Sequence, residues 1–170
     1  MSPAMTDAEI ETPLFDRLDG LDIAHETHRH PPLHTVEESR ALRGDLPGTH
    51  IKNLFLRDKK RSLWLVTVLE ARAVDLKALR HVLGAKGNLS FGSAELLAEA
   101  LGVEPGAVTP FAVLNDVDHH VTMALDRGVL DADPVNAHPL HNAATTAIAG
   151  RDLLRFLEAC GHPPLLLDLD

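Results

Sequence analysis

The chain has 170 residues, of which 45% are hydrophobic and 24% charged, with a formal net charge of −9. This composition excludes a disordered chain, and the acidic balance disfavours non-specific binding to nucleic acid. The sequence contains no apolar run long enough for a membrane span and no secretory signal pattern. Cys160 is the only cysteine, so we expect no internal disulfide, a reducing cytoplasmic setting and one domain over residues 1–170.

The N-terminal third predicts two helices and one strand. Thr6 and Glu9 have the spacing of a capping box ahead of a helix that Gly20 can end. "LDIAHETH" is typical of a strand, which the following "HPP" breaks. "TVEE", which begins at Thr35, predicts a second, short helix through about Leu42.

The rest of the chain alternates short strands and helices. "HIKNLFLRD" and "LWLVTVLE" predict a hairpin around "KKRS", and "PFAVLND" and "HHVTMALD" predict a second one around "DVD". "DLKALRHVLG", "SAELLAEALG" and "GRDLLRFLEACG" predict helices, whereas "NAATTAIA" and "PLLLDLD" predict strands. We therefore expect an α/β fold of the α+β type, with a mixed, largely antiparallel, partly barrel-like sheet and surrounding helices.

The histidine-rich stretch "HETHRHPPLH" raises the possibility of a metal site. It carries His25, His28, His30 and His34. Strand alternation sends His25 and His28 to opposite faces, and no cysteine or well-spaced acid completes a tetrahedral set. We predict no metal ligands, and a metal-binding protein built on this stretch remains the alternative.

The stretch "NAHPLHNAATT", residues 136–146, gathers many neutral hydrogen-bonding groups. It contains no carboxylate, cysteine or serine. The chain also lacks the G-x-S-x-G elbow, the Walker pattern and the dinucleotide-binding glycine pattern. Any chemistry here must therefore use neutral donors and acceptors rather than a usual nucleophile.

Lys52 lies inside the apolar strand "HIKNLFL". A period of two places Ile51, Asn53 and Phe55 on one face and Lys52, with two leucines, on the other. A lysine in such a strand either reaches water from an edge position or points into a pocket. The pattern by itself leaves both readings open.

Four ordered stretches carry a resemblance to a known family. They are "HPP…VEE", "KNLFLRDKK…LWLV", "LSFGSAELLAEALGVEPGAVTPFAVLND" and "DPVNAHPLHNAATTAI", which together run from about His30 to Ile148. The chain resembles the free-standing prolyl-tRNA editing proteins of the YbaK-like, prolyl-tRNA synthetase-associated domain family. The resemblance implies the fold of that family and a cytoplasmic enzyme without metal or other cofactor. Its implied reaction is hydrolysis of a mischarged aminoacyl-tRNA, usually alanyl-tRNA(Pro) in the free-standing branch.

The resemblance and the chemistry of the side chains together lead us to expect roles for particular residues. Lys52 and His138 are the expected catalytic residues. The expected substrate-binding residues are His30, His50, Asn53, Gly92, Asn136, Pro139, Thr145 and Thr146.

The basic run "RDKKR" is the expected tRNA contact, through Lys59, Lys60 and Arg61. The alternative is a solvated hairpin turn without a partner. The expected partner is the acceptor end of a mischarged tRNA, with prolyl-tRNA synthetase as a second candidate. We expect neither a membrane nor DNA as a partner.

An aminoacyl ester is already labile, so the enzyme needs mainly to position a water molecule and stabilise an oxyanion. The neutral groups of residues 136–146 suit that task. Two alternatives stay open. The chain could be a non-catalytic module that binds aminoacyl-tRNA, or it could remove another amino acid such as serine or threonine.

Overall fold

The computed structural model describes residues 5–33, 37–38, 41 and 46–169. The strands in chain order are β1 (Glu26–Arg29), β2 (Thr49–Arg57), β3 (Leu63–Leu69), β4 (Ser90–Phe91), β5 (Val121–Asp126), β6 (Val135–Ala137), β7 (Ala144–Ile148) and β8 (Leu165–Leu167). The helices with described bounds are α1 (Asp7–Gly20), α2 (Leu76–Leu83), α3 (Ala94–Leu101), α4 (Arg127–Leu130) and α5 (Gly150–Ala159). Two short 3-10 helices cover Pro105–Ala107 and Pro110–Asn115.

Local capping explains where the longer helices begin. The Thr6 hydroxyl accepts the Glu9 N–H at 3.1 Å and the Glu9 carboxylate accepts the Thr6 N–H at 3.2 Å, which confirms the first capping box. Asp75 and Ser93 cap α2 and α3, which end at glycines in the left-handed conformation, as predicted.

The strands form one mixed sheet with the order β1-β7-β6-β2-β3-β5-β8, and β4 pairs with β2. The pairs β1–β7, β2–β3, β2–β4 and β6–β7 are antiparallel, whereas β2–β6, β3–β5 and β5–β8 are parallel. The predicted fold class, a mixed and largely antiparallel sheet with surrounding helices, is confirmed. None of the helices in the described ranges is long and apolar enough to cross a lipid bilayer.

Helices cover both faces of the sheet. On one face, Leu79 and Leu83 of α2 pack against Leu56 and Val66. On the other face, α1, α3 and α5 and the second 3-10 helix enclose the larger cluster, which contains Leu14, Leu97, Phe111 and Phe156. Alternate residues of β2 and β3 join one cluster or the other, as the strand period requires.

The second predicted hairpin is wrong. "PFAVLN" forms a 3-10 helix, Pro110–Asn115, in which the Phe111 N–H donates to the Thr109 hydroxyl at 3.3 Å. The following strand, β5, begins at Val121 and pairs in parallel with β3 and β8. Pro110 fixes a helix-compatible backbone and has no N–H to offer a sheet, so this apolar stretch packs into the core as a helix.

The first hairpin is correct, and the N-terminal predictions hold in part. The whole of β3 pairs antiparallel with residues 51–57 of β2. β1 ends before "HPP" as expected but begins only at Glu26, so His25 lies outside it. The helix predicted from Thr35 to Leu42 falls largely outside the described residues.

Candidate active site

The segment that links β6 to β7, residues 138–143, is called the His-Pro loop here. Leu140 within it has φ +74°, a left-handed conformation that is unfavourable for a branched side chain. Pro139 and Leu140 are buried, and so is His141. The loop therefore has a constrained backbone that its surroundings must hold in place.

His138 lies at the start of this loop and has a defined tautomer. Its Nδ1 donates to the Ala144 carbonyl at 2.9 Å, because a carbonyl can only accept. Burial lowers the pKa of His138, and the nearby His30 and His141 add to this effect against the hydrogen bond to Ala144. The imidazole is therefore neutral at pH 7, and its Nε2 is an acceptor.

His30 stands beside His138, with 6.3 Å between the ring centroids. Its Nδ1 donates to the Pro31 carbonyl and its Nε2 accepts the Thr145 hydroxyl, both at 2.9 Å. Thr145 is buried, and its hydroxyl fixes the orientation of the His30 ring. The structure thus brings His30, His138 and Thr145 together, as the predicted site requires.

Thr146 and Asn136 use their polar groups inside the fold. The fully buried Thr146 hydroxyl bonds to that of Thr27 at 2.8 Å, across the β1–β7 pair. Asn136 donates to the Pro47 carbonyl at 3.1 Å. His50 lies within 3.3 Å of the Leu46 carbonyl through Nε2. In this structure these groups support the strands, and their contact with substrate stays a prediction.

β2 is paired along one side with β3, whereas its other side pairs with β6 only at residues 49–50 and with β4 only at residues 56–57. Lys52 therefore lies at a position where only the β3 side of the strand is paired, and both predicted readings of this lysine stay open. Its half-buried ammonium donates to the Arg72 carbonyl, and Arg72 in turn is bound to Asp126. An ammonium has three N–H donors, so a partner held by the backbone orients Lys52 and leaves capacity for a ligand.

The register of β2 with β6 relates Lys52 to His138. His50 pairs with Asn136 in this parallel arrangement. This is the last pair of the ladder, since β6 ends at Ala137. Lys52 and His138 each lie two residues beyond this pair in the sequence, and a substrate contact shared by the two stays a prediction.

Asn53 points to the opposite face of β2. Its Nδ2 donates to the Val108 carbonyl at 3.1 Å, and its Oδ1 accepts the Thr67 hydroxyl at 2.6 Å. Asn53 thereby fixes the segment between the two 3-10 helices against the sheet. Gly92 packs directly against Phe55 of β2, since a Cβ at this position would lie 2.4 Å from the Phe55 ring.

A groove of about 860 Å³ adjoins the His-Pro loop. It is lined by the N-terminal part of α1, by Pro32 and Leu33, by residues 102–107 and by residues 140–143 of the loop. The side-chain oxygen of Asn142 is buried beside it and makes no hydrogen bond within the described part of the chain.

The expected tRNA contact forms an exposed turn. Lys59, Lys60 and Arg61 are exposed between β2 and β3, and a groove of about 440 Å³ runs between this turn and residues 88–90. Buried Asp58 organises the turn by accepting the N–H groups of Lys60, Ser62 and Lys86. This role of Asp58 was not predicted, since an acid within a basic run is typical of a solvated turn.

The described histidines, cysteine and acids include no group of three placed to hold a metal ion. Within the histidine-rich stretch, His25 bonds to Asp19 at 2.8 Å, whereas His30 bonds to Thr145. His34 lies outside the described residues. The described members of the stretch therefore have separate protein partners.

Comparison with known proteins gives the family. Residues 30–156 match the sequence profile of the aminoacyl-tRNA editing domain. The chain belongs to the aminoacyl-tRNA editing domain family. The match covers the His-Pro loop, β2 and the basic turn, but it leaves out α1.

Two relatives align with almost the whole chain. The prolyl-tRNA synthetase associated domain-containing protein 1 of Bos taurus is 41% identical over 170 residues, covering 98% of this chain and 99% of its own. The prolyl-tRNA editing protein ProX of Acetoanaerobium sticklandii is 34% identical over 157 residues, covering 92% and 95%. Both are free-standing proteins of similar length, so the resemblance found in the sequence is confirmed.

A solved structure described as a candidate trans-editing enzyme for prolyl-tRNA synthetase shares the fold. It superposes with a TM-score of 0.72 over 98% of this chain and 99% of its own, at 18% identity. At that identity the likeness concerns the fold alone. It agrees with the mixed sheet and surrounding helices of this editing domain.

Proposed function

We propose that this editing domain hydrolyses the ester of mischarged tRNA(Pro), with alanyl-tRNA(Pro) as its substrate, by positioning water without a metal or a covalent intermediate. The name of the relative ProX supports prolyl-tRNA as the substrate class. The observation that carries the proposal is His138, a neutral histidine whose Nδ1 is fixed by Ala144. Its Nε2 can orient a water molecule and accept a proton from it.

The proposed reaction balances with water as the only co-reactant. The water oxygen bonds to the ester carbonyl carbon while a proton passes to His138 Nε2. The bond between that carbon and the ribose oxygen then breaks, and the proton goes to the ribose oxygen. The products are the free amino acid and a tRNA with an intact terminal hydroxyl.

Lys52 is the proposed electrostatic partner of this reaction. Its ammonium would contact the ester carbonyl, or else the terminal adenosine or its phosphate, while the Arg72 carbonyl holds it in place. A positioned cation stabilises negative charge that develops on an oxyanion. The other expected site residues, His30 and Thr145, would fix His138 and the substrate from the loop side.

Amino-acid selection in this proposal depends on size. Attraction alone distinguishes one methylene by roughly 10–200-fold, so rejection of a prolyl group needs a steric clash. Ala144 is buried beside His138, and Asn53 holds Val108 against the sheet. Small side chains and a fixed backbone suit a pocket that admits alanine and excludes proline.

The test is release of alanine from Ala-tRNA(Pro) by pure protein in the presence of a chelator. We expect turnover, no effect of the chelator, and little activity on Pro-tRNA(Pro). Lys52→Ala should lower kcat/KM by about 10²–10³-fold, the size of effect seen when one oxyanion donor is lost. His120→Ala, at an exposed histidine, is the control and should keep full activity.

Three outcomes would contradict this proposal in different ways. Tight binding of Ala-tRNA(Pro) without turnover would favour the non-catalytic module. Faster release from Ser- or Thr-tRNA would transfer the same chemistry to another amino acid. A Lys52→Ala variant that loses its circular dichroism signal would make Lys52 a structural residue.

A further inference from the structure

Glu11 is a buried acid on α1, with 3% of its surface exposed, and it binds two other elements at once. Its carboxylate accepts two hydrogen bonds from Arg29 at the end of β1, at 2.5 and 2.7 Å. Its Oε2 also accepts His141 Nε2 of the His-Pro loop at 2.6 Å. One carboxylate thus joins α1, β1 and the loop that carries His138.

The tautomer of His141 shows which group donates and which accepts in its hydrogen bond to Glu11. The Ala143 N–H donates to His141 Nδ1 at 3.1 Å, so Nδ1 is an acceptor and Nε2 carries the proton that Glu11 accepts. Burial alone would raise the pKa of the Glu11 carboxyl, but the hydrogen bonds from Arg29 and His141 outweigh it and hold the pKa below its ordinary value. Glu11 is therefore ionised at neutral pH and acts only as an acceptor.

The His-Pro loop needs anchors at both ends because Leu140 holds an unfavourable left-handed backbone. At one end His138 is bound to the Ala144 carbonyl, and at the other end His141 is bound to Glu11. The His30 N–H also donates to the Ala143 carbonyl at 3.1 Å. Without the Glu11 link, the loop can relax at Leu140 and shift His138.

We propose that Glu11 is a positioning residue, which sets the place and orientation of His138 through His141 and the His-Pro loop. This inference rests on the proposed function of His138. It also makes α1 part of the working site, although α1 lies outside residues 30–156 that match the family profile. Arg29 contributes to this positioning, because its guanidinium forms two hydrogen bonds with the Glu11 carboxylate and so fixes the plane of that group.

Glu11→Gln is the variant that tests the link at almost constant volume. An amide has one oxygen and one NH2 group, and that NH2 group must face a donor. In the Oε2 position it breaks the bond to His141, and in the Oε1 position it breaks the bidentate Arg29 pair that holds the side chain toward His141. We expect kcat for Ala-tRNA(Pro) to fall by about 10–100-fold with little change in KM, since a small misplacement of a catalytic group costs rate rather than binding. NMR amide signals of residues 138–144 should shift at the same time.

Two controls separate positioning from charge and from stability. Asp16→Asn removes a carboxylate from the exposed side of the same helix and should leave kcat and the loop signals unchanged. Leu14→Ala removes buried contacts of α1 without touching the link, so it should lower Tm while kcat below Tm stays the same.

His141→Gln tests the same link from the loop side and serves if Glu11→Gln does not fold. We expect a similar loss of kcat, and the double variant should lose no more than the worse single variant, because both break one link. Unchanged kcat and unchanged loop signals in a folded Glu11→Gln protein would overturn the inference, as would additive losses in the double variant. If the wild-type protein releases no alanine, the proposed function fails, and the NMR shifts alone then decide whether Glu11 positions the loop.

Discussion

At the scale of single residues, buried acids with several donors organise the loops of this protein. Asp126 is fully buried and accepts the N–H groups of Leu69 at 3.1 Å and Gly128 at 2.9 Å, together with the Arg72 guanidinium. Burial alone would raise the pKa of Asp126, but these hydrogen bonds outweigh it and hold the pKa below its ordinary value. Because the Arg72 carbonyl accepts a hydrogen bond from the Lys52 ammonium, Asp126 supports the candidate site indirectly through Arg72.

Asp126→Asn should lower the free energy of unfolding at pH 7 by about 3 kcal/mol, because it removes one charge of the buried Asp126–Arg72 ion pair. A carboxyl whose native pKa is lowered adds stability above its unfolded pKa of about 3.9, and this stability is lost as the pH falls through the native pKa. The difference between the wild-type protein and the variant should therefore shrink below about pH 4. Urea unfolding at several pH values measures it.

The exposed Asp168, after β8, provides the matched control for this substitution. Asp168→Asn should change the free energy of unfolding by less than about 0.5 kcal/mol, as is usual for an exposed position. A wild-type advantage over Asp126→Asn that stays constant down to pH 2 would show that the Asp126 charge is not what stabilises the native state.

The candidate site was predicted unevenly at this scale. Lys52 and His138 are singled out by the strand period and the resemblance, and their roles in the site stay predictions. Glu11 and Asp126 were missed, because nothing in their local sequence distinguishes them from surface acids. Their partners lie far away along the chain, and only the folded structure brings them together.

At the scale of secondary-structure elements, close packing of α5 against α4 depends on one glycine. Gly150 begins α5, and a Cβ there would lie 1.9 Å from the Val129 carbonyl oxygen. The Gly150 N–H donates to the Ala132 carbonyl at 2.8 Å, which fixes the helix start against the end of α4. This contact explains a glycine at a helix start that has no side-chain cap.

Gly150→Ala should destabilise the protein by about 3 kcal/mol, since backbone atoms must move apart to admit the methyl group. For a chain of this length the loss corresponds to roughly 6–12 °C in Tm, which thermal unfolding measures. Gly20→Ala is the matched control, because nothing lies within 4 Å of a Cβ at the end of α1. That variant should match or slightly exceed the wild-type Tm, and an equal loss in both variants would refute the packing argument.

The elements themselves were predicted well where the signals are local. Capping residues and glycines gave α1, α2 and α3, and the polar turn gave the β2–β3 hairpin. The second hairpin failed because an apolar stretch of six residues suits a buried helix as well as a strand. Its conformation follows from Pro110 and from packing against α3 and α5.

At the scale of the whole molecule, a local cationic surface stands on a chain whose overall charge is negative. The chain carries a net charge of −9, yet the turn between β2 and β3 presents Lys59, Lys60 and Arg61 together on its exposed side. Asp58 within the turn is buried and bound to backbone N–H groups, so it does not offset this surface fully. A local cationic surface on an acidic protein fits selective contact with one part of a tRNA.

Replacing Lys59, Lys60 and Arg61 by alanine should weaken tRNA binding and make it less sensitive to salt. The slope of log K against log salt is negative, and each lost phosphate contact reduces its magnitude by about 0.7–0.9. Its magnitude should therefore fall by about 2–3. Binding titrations at several salt concentrations measure it.

The control removes three exposed arginines elsewhere, Arg17, Arg127 and Arg151, and produces the same net charge. We expect its salt slope to stay close to that of the wild-type protein. If both triple variants lower the slope equally, tRNA responds to overall charge and the turn is no specific contact.

The sequence by itself determined α1, α2, α3 and α5, the first hairpin, the fold class and the residues that carry the family resemblance. These depend on capping, periodicity and short motifs, which involve residues only a few positions apart. The tertiary structure decided the parallel pairing of β2 with β6, the burial of Glu11 and the anchoring of His138. Such contacts join distant parts of the chain, and their free energy exists only once the whole core has formed.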